Sequence, residues 1–334
     1  MPLLADFLAL TLAGQEPVAK EARTPSGARV RWLAEGVVEV MPVAAEDAGL
    51  DLVLSAGVHG CEVVPIRLLD QLIQRLERGD IRPRARLLLL FCNPPAMRRG
   101  VRRVGQDLNR LFCGAHAGQT GREADRAALL ERAVAEFYRT PGRARWHYDL
   151  HSAMRPSRLP QFAVCPWVPD RSVSPQSLWR LGEAAVDAVL VQERPSATFS
   201  AHTATRHGAE AFTLEVAEAP DGTWPACLDR LLDAAQGWIE ATAVPARLAG
   251  IRPQAYRLAR EIIKQSERFV LHVPDDIENF TPLPPGMLLA EDGPHCWVAE
   301  GPHDHILFPL ADVTVGERAA LIVEPRPWSP LAEA

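Results

Sequence analysis

Short apolar runs alternate with longer amphipathic stretches between about residue 52 and residue 242. The short runs are typical of buried strands, whereas the longer stretches place apolar residues at helical spacing. The pattern predicts strands at residues 52–54, 86–91, 161–164 and 211–216, and a further strand that ends at Leu150. It predicts helices at about residues 63–76, 123–138, 175–191 and 225–241, and the start of a helix at residues 7–13. Such alternation favours an α/β domain with a largely parallel sheet.

The pattern changes after the proline-bounded segment at residues 245–253. From residue 256 to residue 325, short apolar runs are interrupted by turn signals such as Asp-Asp, Pro-Pro-Gly and Asp-Gly, and there is no convincing long helix. We therefore predict an α/β domain over residues 1–245 and a smaller β-rich domain over residues 246–334.

Composition and net charge argue against some classes of binding partner. The chain has 334 residues, of which 47% are hydrophobic and 23% are charged, as is ordinary for a soluble globular protein. A net charge of −6 provides no basic field for nucleic acid or an anionic membrane. The start of the chain lacks a basic leader, no apolar run has the ~18–20 residues of a membrane span, and the six cysteines form no CxxC pair. We expect reduced thiols and a cytoplasmic protein.

Two motifs offer metal ligands at the ends of predicted strands. In the run GVHGCE at residues 57–62, His59 and Glu62 would share one face if a helix began at Gly60. His151 follows the strand that ends at Leu150, and ligands bind beyond the carboxyl ends of strands in such sheets. A hydrolytic zinc needs three such ligands and an open position. Each motif alone is also consistent with a polar turn or a hydrogen-bonded loop histidine.

Two further features suggest groups that act on a substrate. The segment DLNR at residues 107–110 follows a run of arginines, and arginine forks bind carboxylates in a bidentate manner. A solvated basic loop is the alternative. Glu215 interrupts an apolar strand, which is typical either of a solvent-facing strand residue or of a general base beside a metal.

In combination, these segments resemble a known family. The motifs GVHGCE, NPPAMRRGVRRVGQDLNR, DLHSA and FTLEV are similar to those of the succinylglutamate desuccinylases, within the aspartoacylase and zinc-carboxypeptidase superfamily. The tail segments DIENFT and GMLLA are similar to the C-terminal domain of that family, so the resemblance covers about residues 50–325. It implies an α/β, zinc-carboxypeptidase-like catalytic domain, with a mixed, largely parallel sheet flanked by helices, and a β-rich C-terminal domain.

The resemblance also implies an activity. The expected reaction is the zinc-dependent hydrolysis of N-succinyl-glutamate to succinate and glutamate, in the arginine succinyltransferase pathway. The implied cofactor is one Zn²⁺ per chain, held by His59, Glu62 and His151. The implied partner is a small anionic N-acyl amino acid, and the oligomeric state stays open, with a homo-oligomer among the alternatives.

The remaining roles come from the resemblance as well. Glu215 matches the catalytic glutamate, and Arg102 matches the arginine that polarises the scissile carbonyl. Asn109 and Arg110 match the pair that holds a substrate carboxylate. Arg206 falls near a further substrate-binding arginine, although its register before Glu215 is off by one residue. Related sequences often carry tyrosine at the position of Arg103, which bears on the orientation of Arg102.

Three alternatives stay open at this point. The first is another amidohydrolase of the superfamily, such as an N-acetylaspartate deacylase or a peptide-trimming carboxypeptidase. The second is a non-catalytic protein that binds small anions on the same fold. The third is an arginine-lined phosphate site, which the lack of a GxxxxGK[ST] loop disfavours. A second metal site in the tail is also disfavoured, because its candidate ligands lack a compact zinc spacing: His295, Cys296, His303 and His305.

Overall fold

The computed structural model describes residues 3–153, 155–216, 224–242 and 252–328. The helices within these ranges are α1 (Phe7–Ala13), α2 (Val63–Arg78), α3 (Pro94–Arg99), α4 (Arg122–Phe137), α5 (Pro175–Glu183), α6 (Phe199–His207) and α7 (Ala226–Ile239). The strands of the first two thirds of the chain are β1 (Glu21–Arg23), β2 (Arg29–Ala34), β3 (Val37–Met41), β4 (Leu50–Ala56), β5 (Arg86–Phe91), β6 (Ala144–Ser152), β7 (Phe162–Cys165), β8 (Ala188–Val191) and β9 (Glu210–Val216). The strands of the tail are β10 (Gln254–Ile263), β11 (Val270–Leu271), β12 (Thr281–Pro282), β13 (Leu288–Asp292), β14 (His295–Val298), β15 (His305–Leu307) and β16 (Arg318–Arg326).

One large mixed sheet forms the centre of the molecule. Its strand order is β1-β2-β3-β5-β4-β6-β9-β7-β8-β10-β16-β15-β12. The central strands β5, β4, β6 and β9 are parallel, while β7 is antiparallel to β9 and β1–β3 form an antiparallel edge. Helices flank the central strands, so the α/β prediction with a mixed, largely parallel sheet is confirmed.

Strand β5 shows why the sequences of the central strands are continuously apolar. Leu87 and Leu89 belong to the core that α2 and α7 cover on one face of the sheet. Leu88 and Leu90 belong to the core that α4 covers on the other face. Successive side chains of a strand point to opposite faces, so a strand with helices on both sides is apolar at every position.

The tail is β-rich, as predicted. It adds β10, β16, β15 and β12 to the large sheet and forms a small second sheet in the order β11-β13-β14. Its own core includes Ile262, Leu289, Ile306 and Ile322. The predicted boundary at residues 245 and 246 lies outside the described residues and stays a prediction.

Most predicted elements are present with ends within two residues, but one prediction was wrong. The helix predicted over residues 175–191 is α5, which ends at Glu183, followed by strand β8. Ala185 has a φ of 58°, which ends the helical path, and the apolar run at residues 188–191 then enters the sheet. The antiparallel strands β1–β3 and helix α6 were not predicted.

The structure also bears on the expectations about cysteines and membrane-spanning helices. All six cysteines are among the described residues, and no disulfide joins them. Among the described helices, none combines the length and apolar character needed to cross a membrane.

Candidate metal centre and active site

The predicted metal ligands and Glu215 meet at one edge of the sheet. Strands β4, β6 and β9 are neighbours and parallel, so their carboxyl ends lie together. His59 follows the end of β4, His151 is the penultimate residue of β6, and Glu215 is the penultimate residue of β9. His151 and Glu215 are direct register partners. The sheet therefore brings these side chains together, as strand-end positions predict.

A tight turn carries the first motif from β4 to α2. Gly57 has a φ of 70°, and a Cβ atom at Gly60 would lie 2.1 Å from the carbonyl carbon of Ala96. The helix begins at Val63, as predicted, so a helix that begins at Gly60 does not place the two side chains on one face. The backbone N–H of Glu62 instead donates to the carbonyl of His59 (3.3 Å), and this turn brings the two side chains together.

The three predicted ligands form a buried group. His59 Nδ1 lies 2.7 Å from Glu62 Oε1, and His151 Nδ1 lies 3.1 Å from Glu62 Oε2. One ligand atom from each residue lies within 4.8 Å of the others, and no other group of three among the described residues meets this criterion. The tail histidines and Cys296 thus form no such group. This group could hold a metal ion.

A second carboxylate stands behind each histidine. His59 Nε2 lies 3.1 Å from Asp107 Oδ1, and His151 Nε2 lies 3.1 Å from Asp149 Oδ2. An Nε2–H that donates to a carboxylate leaves the Nδ1 lone pair for a metal and raises its basicity. Both aspartates lie inside the sequence motifs, but the motifs alone did not assign them a role.

Polar groups in the core support Asp149. Ser55 Oγ donates to Asp149 Oδ1 (2.5 Å) and also lies 2.8 Å from His147 Nε2. Burial raises the pKa of Asp149, but the charge and hydrogen bond of His151 outweigh it and hold that pKa below its ordinary value. Asp149 therefore stays ionised beside His151.

Glu215 is a carboxyl group whose environment suits proton transfer. Burial raises its pKa to about 7, with nearby His151 acting in the opposite direction and Glu62 adding to the rise. A group with a pKa near the working pH can both accept and release a proton. The structure thus places a suitable acid and base beside the His59–Glu62–His151 group.

Arg102 lies next to the same group. Its guanidinium contacts Asp107 Oδ2 at 3.2 Å and Glu62 Oε1 at 3.9 Å, and its side chain is 39% exposed. Next to it, Arg103 contacts Glu317 of the tail at 3.5 Å. The arginine at position 103 therefore joins the Arg102 loop to the tail.

Asn109 and Arg110 lie in the single helical turn that follows Asp107. Asn109 is buried, and its Oδ1 accepts a hydrogen bond from the backbone N–H of Phe199 at the start of α6 (3.0 Å). This bond leaves the amide N–H groups of Asn109 as donors. The guanidinium of Arg110 donates to the carbonyl of Asn109 (3.1 Å), and its charge acts on Asp107.

Arg206 lies away from the other predicted site residues, and its role in substrate binding stays a prediction. Helix α6 begins beside Asn109 and returns along the sheet to the amino end of β9, so Arg206, near its last residue, is about 10 Å further along the helix axis than Phe199. There it lines a separate cavity of about 410 Å³ with His116, Glu131 and His202.

Two models of known protein domains match the sequence of this chain. Residues 48–238 match the model of the succinylglutamate desuccinylase/aspartoacylase catalytic domain. Residues 252–326 match the AstE/AspA barrel-sandwich hybrid domain. The chain belongs to this family.

Relatives of known name span nearly the whole chain. The succinylglutamate desuccinylase of Pseudomonas fluorescens is 49% identical over 331 residues, which cover 97% of this chain and 98% of that protein. The succinylglutamate desuccinylase of Ectopseudomonas mendocina is 49% identical over 339 residues, with 99% and 100% covered. The family resemblance read from the motifs is confirmed.

Solved structures of the family show the same fold. The succinylglutamate desuccinylase of Vibrio cholerae superposes with a TM-score of 0.86 at 31% identity and covers 96% of this chain and 94% of its own. That of Chromobacterium violaceum superposes with a TM-score of 0.82 at 34% identity and covers 96% and 98%. Both domains are thus arranged as in other members of the family.

Proposed function

We propose that this protein is a zinc-dependent amidohydrolase that cleaves N-succinyl-L-glutamate to succinate and L-glutamate in arginine catabolism. The observation that carries the proposal is the buried group of His59, Glu62 and His151 with Glu215 in register beside it. Relatives that are 49% identical over nearly their full length are named for this substrate. Six cysteines without a disulfide support a place in the reducing cytoplasm.

The donor set fits one zinc ion per chain. Two imidazole nitrogens and a carboxylate are the ligands typical of catalytic zinc, and Asp107 and Asp149 fix which nitrogen of each histidine is free to bind. When bound, zinc supplies a Lewis acid that polarises a carbonyl and lowers the pKa of water from about 15.7 towards about 7.

The residues of the chain perform the proton transfers. Glu215, with its pKa near 7, accepts the proton of the attacking water and later delivers it to the nitrogen of the departing glutamate. Arg102 donates to the carbonyl oxygen as negative charge develops there, a contribution of about 3–4 kcal/mol for a well-placed donor. Asn109 and Arg110 hold one carboxylate of the substrate.

Replacement of Glu215 by glutamine tests the assignment of the base. Glutamine keeps the size of the side chain but cannot accept the proton, so Glu215→Gln should bind zinc normally and lose turnover by at least about 100-fold. Elemental analysis and steady-state assays on the same preparation would measure both. The matched control is Glu136→Gln on the exposed side of α4, which should keep full activity. Near-normal turnover in zinc-loaded Glu215→Gln would overturn the assignment.

A substrate panel tests the reaction itself. We expect zinc-loaded protein to hydrolyse N-succinyl-glutamate in preference to N-acetyl-aspartate and to a dipeptide. Preference for N-acetyl-aspartate would favour an aspartoacylase-like deacylase, and no turnover of any substrate would favour a non-catalytic anion-binding protein. His151→Ala should lose both the metal and the activity, because two donors rarely retain zinc.

A further inference from the structure

Arg318 is a largely enclosed cation without an anionic partner. It is the first residue of β16 in the tail. Among the described residues, no carboxylate forms an ion pair with its guanidinium, and no acceptor forms a hydrogen bond with it. Other covered arginines are paired: Arg143 contacts Asp51 at 2.5 Å, and Arg126 donates to three backbone carbonyls. Burial of an unpaired charge costs free energy, so an arginine in this state suggests a role in binding an anion.

Three of the four charges that act on Arg318 belong to predicted site residues, namely Arg102, Arg110 and Glu215. Burial, together with the positive charges of Arg110 and Arg102, lowers its pKa to about 10. Glu261 and Glu215 act in the opposite direction. The guanidiniums of Arg102 and Arg110 and the carboxylate of Glu215 therefore lie close enough to act on the guanidinium of Arg318. Arg102 is paired with Asp107, whereas Arg318 has no such partner, so an anion that entered here would offset the charge of Arg318.

The backbone holds Arg318 in this position. Arg318 pairs with Ile263 in the antiparallel ladder between β10 and β16. The preceding residue, Glu317, accepts a hydrogen bond from the backbone N–H of Lys264 (3.0 Å) and contacts Arg103, next to Arg102. The ladder and this ion pair tie the amino end of β16 to the loop that carries Arg102. A guanidinium on a rigid strand is preorganised for an anion.

We propose that Arg318 binds a second carboxylate of the substrate, distinct from the one that Asn109 and Arg110 hold. The inference rests on the proposed function and extends it, since it makes the tail one wall of the substrate site. A substrate with carboxylates on both its acyl and its amino-acid side needs more than one arginine to offset the desolvation of its charges. Arg318 supplies a cation for this carboxylate, while Arg206, which the family resemblance offered for such a role, lines a separate cavity.

The test variant is Arg318→Met, which keeps most of the side-chain volume and removes the charge. We expect KM for N-succinyl-glutamate to rise by about 10- to 100-fold, zinc content to stay normal, and kcat to change less than KM. Arg318→Lys should recover part of the loss, because lysine keeps the charge but not the fork. The matched control is Arg257→Met, which removes an exposed tail arginine that is paired with Glu324.

Thermal unfolding separates a binding role from a structural role. Removal of an enclosed cation without an anionic partner relieves an unfavourable charge, so the Tm of ligand-free Arg318→Met should be equal to or above that of the parent protein. A Tm several degrees lower, together with loss of zinc, would show that Arg318 serves the fold and would overturn the proposal.

Equilibrium binding of the two products identifies the carboxylate. Titration calorimetry of zinc-loaded protein with succinate and with L-glutamate should show that Arg318→Met weakens one of them by at least about tenfold and the other much less. Equal affinities in Arg318→Met and the parent protein for both products would overturn the proposal. This assay needs no turnover, so a failure of the proposed reaction in the parent protein is distinguishable from a failure of Arg318 to bind an anion.

Discussion

At the scale of the residue, Asp107 joins three parts of the site through one carboxylate. Its Oδ1 lies 3.1 Å from Nε2 of His59 and accepts from the backbone N–H of Asn109 (3.0 Å), while its Oδ2 accepts from Arg102 (3.2 Å). Burial raises the pKa of Asp107, but the hydrogen bond and charge of His59 and the charge of Arg102 hold it well below its usual range. An ionised Asp107 therefore orients His59 and Arg102 together.

Neutralisation of the Asp107 carboxylate should weaken zinc binding. In Asp107→Asn, we expect zinc affinity to fall by about 10- to 100-fold, because the group behind a metal-binding histidine sets its orientation and basicity. Competition with a chromophoric chelator would measure the affinity. Asp80→Asn, at a half-exposed surface aspartate, is the control and should bind zinc like the parent protein. Unchanged zinc affinity in Asp107→Asn would contradict this role.

The sequence predicts some residues of the site better than others, for physical reasons. His59, His151 and Glu215 stand at strand ends, and the parallel sheet brings such positions together whatever the details of packing. Arg206 lies on helix α6 and lines a separate cavity, and a position on a helix does not reveal which end of the sheet it faces. Arg318 carries no local motif, and only the β10–β16 ladder brings it to the site.

At the scale of the element, the turn between β4 and α2 sets the metal group. The path of this turn passes so close to α3 that only glycine fits at position 60. In the run GVHGCE, Gly60 therefore meets a packing requirement, while His59 and Glu62 are the candidate metal ligands.

Addition of one methyl group should test this requirement. In Gly60→Ala, the Cβ would lie 2.1 Å from the carbonyl carbon of Ala96, so the turn and α3 must separate. We expect a loss of about 1–3 kcal/mol of stability and reduced zinc content, because His59 and Glu62 move with the turn. Denaturant unfolding and elemental analysis would measure these. Gly301→Ala, where the nearest atom would lie at 3.5 Å, should change neither. A fully stable, zinc-loaded Gly60→Ala would contradict the packing argument.

Helices and strands that end at clear turn residues are predicted well. Two adjacent elements that no polar or glycine-rich turn separates are predicted as one. Helix α5 and strand β8 were read as one helix because only residues 184–187 separate two apolar stretches. The turn there depends on Ala185 in a left-handed conformation, which a sequence with glycine would have signalled.

At the scale of the whole molecule, buried histidines link stability to pH. Burial lowers the pKa of His147, which is fully enclosed, to about 4. The unfolded chain would bind a proton there at about pH 6.5, so between pH 6.5 and pH 4 the unfolded state holds more protons than the folded state. Stability should therefore fall as the pH falls through this window.

Denaturant titrations of the metal-free protein between pH 7.5 and pH 4 would measure this loss. His147 alone should contribute about 3 kcal/mol by pH 4, and His147→Gln should reduce the slope of stability against pH. Replacement of the exposed His295 by glutamine is the control and should leave the slope unchanged. An identical slope in His147→Gln would show that this histidine does not contribute.

The parallel pairing of β8 with β10 has a mechanical consequence. Four register pairs, from Gln254 with Ala188 to Arg257 with Val191, make the tail a continuation of the central sheet. A hinge between the two parts would have to break this ladder, so the tail cannot swing open as a lid within one catalytic cycle. A rigid connection of this kind holds Arg318, on β16, at a fixed place relative to the strands that carry His151 and Glu215.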